Sequence, residues 1–205
     1  ERTDPFYIYN LADPYKPEKL GELEVPGFSS YLHPIDIDGV ELMLGIGVHV
    51  DPETQDRVGL KISLYDISNA TNPTENATFV DEGAYSSGGY DFKSFRFLTQ
   101  SKKLILPKRE YSEGDGGNFD GFVVYDVGLG SVAPSHEIQH ASAYAMNYGC
   151  WYNARMPARS FVFQSKLTTI LSHSVISTDL ADGDKLWNLT LGDGLSNDNC
   201  WPYFF

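Results

Sequence analysis

Positive charge is scarce in this 205-residue chain: 15 Lys and Arg stand against 28 Asp and Glu, a formal net charge of −13. Such a surface repels a phosphate backbone, and no basic stripe offsets it. That excludes nucleic-acid binding and disfavours a bare anionic membrane surface. No apolar run approaches the ~20 residues that cross a bilayer as a helix, so no membrane span is expected in this segment. Cysteine occurs only as Cys150 and Cys200, with no Cys-x-x-Cys pair of the kind redox catalysis uses. A G-x-S-x-G elbow and a Gly-rich phosphate loop are also missing. The chain begins Glu1-Arg2-Thr3-Asp4, with neither an initiator Met nor a signal peptide, so a processed or trimmed polypeptide is expected.

What is abundant points to strands. Aromatics make up 14% of the residues, with 13 Tyr and 12 Phe, beside 19 Gly and 11 Pro, a mixture suited to sheets and turns rather than helices. Hydrophobic residues reach 41%, and the length allows one domain with a sizeable core or two small ones. The acidity reads first as solubility, and secondarily as affinity for a divalent cation or a cationic partner.

A short pattern recurs: apolar alternation, then an aromatic or Thr, then Asp or Asn, then an aliphatic residue. It ends at Asn10 in "FYIYNLADP", Asp66 in "LKISLYDISNA", Asp126 in "FVVYDVGLG" and Asp179 in "SVISTDLADG", a pitch of roughly 53 to 60 residues. A turn and a second short run follow each copy: "KLGEL", "ENATFV", "HEIQH", "KLWNLTL". Two further runs precede each of the last three copies: "SSYLHPIDI" and "ELMLGIGVHV", "YDFKSFRFL" and "KKLILPKRE", "RSFVFQS" and "LTTILSH". Leu42, Leu44, Ile46 and Val48 alternate with period two, as do Val58, Leu60, Ile62 and Leu64, which places each set on one sheet face.

Four hairpin-linked strands per unit describe an all-β chain built as a β-propeller, with about three complete four-stranded blades plus a half blade. The expected divisions of this single propeller segment are a half blade at 1–23, blades at about 24–80, 81–141 and 142–191, and a tail at 192–205. A closed propeller has at least four blades, so this segment is expected to be the C-terminal part of a larger propeller, or to close against another chain. The repeated Asp or Asn has a structural role: its side chain accepts backbone N–H groups of the following turn.

"FYIYNLADPYKPEKLGELEVPGFSSYLHPIDIDGVELMLGIG", followed by "VGLKISLYDISNATNP", resembles the secreted proteins with a C-terminal β-propeller domain, distant relatives of WD repeats. "YDFKSFRFLTQSKKLILP" and "PARSFVFQSKLTTILSHSVISTDL" resemble two further blade openings of that family. The resemblance is densest over residues 6–80. It implies a seven- or eight-bladed extracellular propeller, and it brings no catalytic activity with it.

Several residues nominate themselves for chemistry. "HEIQH" fits H-E-x-x-H; on a helix His136 and His140 would share a face and ligate Zn²⁺ with Glu137 as general base, making a metal-dependent hydrolase. The repeat register puts the segment in an outer strand instead, where residues four apart lie ~13 Å from each other, too far to share an ion. His33, before Pro34 near the start of an inner strand, faces either the central channel or a structural partner. Asp115, Asn118 and Asp120 form the best calcium candidate, although the loop lacks the alternating spacing of a calcium-binding loop. Ser172 and Ser174 flank His173 and point to the opposite strand face from it, so no Ser–His pair is expected.

Asn69, Asn76 and Asn188 open N-glycosylation sequons, whereas Asn72 is followed by Pro73. With two cysteines flanking the last blade, a Cys150–Cys200 disulfide closing a loop of about 50 residues is expected to hold the tail, an effect near 4 kcal/mol in the chain-entropy picture. These features predict a secreted or cell-surface setting. The function expected is a non-enzymatic scaffold without a cofactor. Its partners would be the rest of the same precursor, or identical protomers, joined through exposed strand edges and able to propagate as a filament.

Overall fold

The computed structural model describes residues 5–110, 119–140, 158–171 and 174–191. These form fifteen strands and one short 3₁₀ turn. Strands β1 (Phe6–Asn10) and β2 (Glu18–Leu23) make a hairpin. Strands β3 (Phe28–Ile37), β4 (Val40–Val50), β5 (Arg57–Asp66) and β6 (Thr74–Glu82) form the first four-stranded antiparallel sheet, in that order. The middle sheet runs inward from β11 (Ser131–Gln139) through β10 (Phe119–Gly128) to β9 (Lys103–Glu110), and two short strands, β7 (Ala84–Tyr85) and β8 (Arg96–Leu98), share its inner edge. The third sheet repeats the simple order with β12 (Arg159–Phe163), β13 (Lys166–Leu171), β14 (Ser174–Asp179) and β15 (Lys185–Thr190).

The four pattern copies are structurally equivalent. Each carries a register shift one and two residues before its Asp or Asn: Ile8/Tyr9, Leu64/Tyr65, Val124/Tyr125 and Ser177/Thr178. A bulge there adds local twist and re-aims the residues after it. Three of the four side chains then accept an N–H two residues on: Asn10 from Ala12 at 2.9 Å, Asp66 from Ser68 at 2.9 Å and Asp179 from Ala181 at 2.8 Å. Asp126 departs from this. Its hairpin turns tightly through Gly130, at φ 76°, and its carboxylate takes Lys103 at 2.8 Å instead.

The core lies between sheets rather than within any one of them. Leu42, Leu44 and Ile46 of β4 and Leu60, Ile62 and Leu64 of β5 meet Leu104, Leu106, Val123, Tyr125 and Val127 of the middle sheet in one apolar cluster. The opposite face of the middle sheet, with Ile105, Phe122, Val124 and Ile138, meets Leu167 and Ile176 of the third sheet in a second cluster. Period-two alternation therefore buries both faces of β9 and β10, each against a different neighbour. The β1–β2 hairpin packs on the remaining face of the first sheet: Phe6 stacks on Tyr65 at 4.8 Å, and a Cβ at Gly21 would lie 2.2 Å from the Ala70 carbonyl. Successive four-stranded sheets packed face on face are the radial arrangement of a propeller.

One expected strand differs. The run Tyr90–Leu98 was expected to fill the inner position of the middle sheet, but only Arg96–Leu98 pairs there, while Ala84–Tyr85 takes the other end of β9. Between them Ser86 caps a 3₁₀ turn at Ser87–Gly89 by accepting the Gly88 N–H. Two adjacent glycines and a capping serine favour a turn over continued pairing.

Candidate interaction site

The H-E-x-x-H residues lie on and just beyond β11, and the sheet separates them. His136 faces the third sheet, against Gly183, whose φ of +80° a side chain would strain and whose Cβ would fall 2.5 Å from the His136 ring. Both His136 ring nitrogens are buried there, and neither has a hydrogen-bond partner among the described residues. Burial lowers the His136 pKa and Lys103 adds to the effect, against the opposing pull of Asp126, Asp182 and Asp179. Glu137 points the other way, toward the first sheet, and accepts from Lys108 Nζ at 2.9 Å. His140 Nε2 lies 2.7 Å from Thr169 Oγ1, with its ring 5.6 Å from Phe122, and burial pushes its pKa down to about 4. Thr169, the hydroxyl partner of this half-buried imidazole, is itself wholly buried. Among the described residues no three His, Cys, Asp or Glu side chains converge as a metal site.

His33 is half-buried between the first two sheets, its Nδ1 3.2 Å from the Tyr31 hydroxyl and its ring 4.8 Å from Phe95; burial lowers its pKa. Asp120 gives its carboxylate to Arg109 at 2.7 Å. Asp115 and Asn118, the other two calcium candidates, lie outside the described residues, as do Cys150, Cys200, Ser172 and His173. Asn69, Asn76 and Asn188 are all exposed. Asn69 and Asn76 share the β5–β6 hairpin. The Asn69 side-chain oxygen accepts from its own sequon Thr71, and that of Asn76 accepts the Gly130 N–H of the middle sheet at 2.7 Å.

Two features escaped sequence reasoning because strands far apart in the chain assemble them. The first is Lys108, almost wholly buried, which carries Glu137 at 2.9 Å, Asp81 at 3.1 Å and Glu110 at 3.1 Å, with the Phe119 ring 4.9 Å away. These bonds raise its pKa against the desolvation that opposes them, so it stays charged and links the first two sheets. The second is a cleft of about 240 Å³ beside the broken inner strand, bordered by Ser30, Gly47, Arg57, Gly59, Tyr85 and Tyr90. Its signal in the sequence is "SSGGYDF", a glycine pair and two aromatics where a strand was due. A further surface is the edge of β1 away from β2, which pairs with no described strand.

A family model described as "Beta propeller domain" matches residues 1–183. The chain is also similar to an uncharacterized protein of Archaeoglobus fulgidus, 36% identical over 106 residues, which is 52% of this chain and 16% of that protein. An uncharacterized protein of Methanocaldococcus jannaschii is 37% identical over 107 residues, again 52% of this chain and 16% of the relative. The alignments thus span about one sixth of the length of either archaeal protein.

Proposed function

Because the chain belongs to the beta propeller domain family, we propose that it works as a non-enzymatic extracellular scaffold. In this reading it is glycosylated at Asn69, Asn76 and Asn188, and it associates through open strand edges with the rest of its polypeptide or with identical copies. The observation that carries the proposal is the β1–β2 hairpin. It packs against the first sheet, and on the side away from β2 its strand β1 has no ladder partner among the described residues, an edge of the kind that recruits another strand.

The test combines a sedimentation measurement with a mass measurement on the full-length polypeptide. Replacing Tyr7 with proline takes a donor out of β1 and should weaken its association or loosen its closure. Enzymatic deglycosylation should lower the mass by the glycans of the three sequons. Unmodified asparagines in protein from its native source would remove the extracellular part of the reading. One equivalent of bound zinc, lost on His136→Ala, would replace the scaffold with the hydrolase.

A further inference from the structure

We propose that the cleft beside the broken inner strand of the middle sheet is a binding site for an acidic sugar residue, a pyranose ring carrying a carboxylate as in uronic-acid glycans. The inference does not depend on the scaffold reading or on where the protein resides.

The first sheet has an unbroken ten-residue inner strand, β3, while the middle sheet interrupts the same position with the segment Ser86–Phe95. That segment is held rather than loose. Gly88 N–H donates to Ser86 Oγ at 3.1 Å, Lys93 N–H donates to Asp91 at 3.1 Å, and Arg159 of the third sheet donates to the Asp91 carboxylate at 2.6 Å. Departures from a repeat that are fixed this firmly are where function concentrates. The segment leaves Tyr85 49% exposed and Tyr90 60% exposed, with rings nearly parallel at 18° and centroids 6.2 Å apart.

The cleft chemistry narrows the ligand. Tyrosine rings present a flat, electron-rich face that suits the polarised C–H face of a pyranose, and their hydroxyls meet water or sugar hydroxyls. Gly47, Gly59 and Ser30 line the walls. A volume of about 240 Å³ suits one ring rather than a drug-sized ligand. Arg57 supplies the charge preference. Arg96 donates to Ser160, Arg109 to Asp120 and Arg159 to Asp91, whereas Arg57 has no carboxylate partner among the described residues and lies 5.9 Å from the Phe28 ring. A guanidinium with no carboxylate partner among the described residues, at a cleft in a chain of net charge −13, selects an anion. A neutral hexose or a proline-rich peptide could stack on the same rings but would leave Arg57 unused.

The experiment titrates the full-length polypeptide with an oligogalacturonate, the same oligosaccharide with its carboxylates reduced to alcohols, and a proline-rich peptide. Calorimetry or NMR shifts of the tyrosine rings report binding. Saturable binding of the oligogalacturonate is expected, weakened about tenfold or more by Tyr90→Ala, while Arg57→Gln should abolish the preference over the reduced sugar. Tyr90 and Arg57 are exposed, so both variants should fold; circular dichroism checks this, and Tyr15→Ala, at a remote exposed tyrosine, should bind as the parent does. The proposal is overturned by an absence of saturable binding up to about 10 mM, by equal binding of charged and reduced sugar, by preference for the peptide, or by a Tyr90→Ala variant that binds unchanged.

Discussion

His140 shows how one side chain can tie stability to pH. Burial holds its pKa at about 4, below the ordinary value of 6.5. A group whose folded pKa is depressed contributes fully above its unfolded value, and that contribution is lost as pH falls from about 6.5 toward 4. Among the described residues the groups facing it are the Thr169 hydroxyl, the Phe122 ring and the Ser174 backbone, with no carboxylate beside them. Urea midpoints measured from pH 7 to pH 4 should therefore fall less steeply in His140→Gln than in the parent, with a difference of up to about 3 kcal/mol by the end of that window. Lys108 behaves in the opposite way. Its raised pKa keeps it charged throughout that range, and Lys108→Met would leave Asp81, Glu110 and Glu137 without their cation. The cost at pH 7 should be roughly 2 to 3 kcal/mol, below that of a fully buried pair because Glu110 and Glu137 reach water.

At the level of strands and hairpins, Gly21 is the contact point on which β1 and β2 sit. A side chain there would overlap the Ala70 carbonyl and come within 2.8 Å of Pro73. Gly21→Val should lift the hairpin from the first sheet, read as faster amide exchange confined to residues 6–23. Asp66 is the corresponding device at a strand end: it accepts both the Ser68 N–H and the Ser68 hydroxyl. Asp66→Ala should lower stability by about 1 kcal/mol in a denaturant titration. These elements were legible in the sequence because their causes are local. Period-two alternation marks β4 and β5, and the spacing from Asn10 to Asp179 marks the repeat. The placement of HEIQH in an outer strand followed from the same register. The broken inner strand was harder to read: "YDFKSFRFL" has the aromatics of a strand, the Ser86 cap and the glycine pair before it are the local sign of a turn, and the Arg159–Asp91 pair that holds the segment reaches in from the third sheet. The Lys108 cluster was hidden for a related reason: its carboxylates come from β6, β9 and β11.

Across the whole molecule, stability resides between sheets. Phe122 is wholly buried where the middle and third sheets meet, so Phe122→Ala should cost about 3 to 5 kcal/mol. The two apolar clusters share the middle sheet, so thermal unfolding of the variant should remain a single transition rather than split by sheet. Self-repulsion acts on the same scale. With a net charge of −13, raising sodium chloride from about 0.02 to 0.5 M should raise the melting temperature as long-range repulsion is screened.

The division of β10 between two neighbours also limits how such a chain can change over time. Val123 and Tyr125 address one side, Phe122 and Val124 the other. Losing or gaining a single residue in that strand would exchange the two sets at once, sending every side chain toward the wrong neighbour. Hydrophobic replacements of similar volume would be absorbed. The central strand can therefore drift in spelling across lineages while its length stays frozen, and indels should accumulate instead in turns such as Asp51–Asp56.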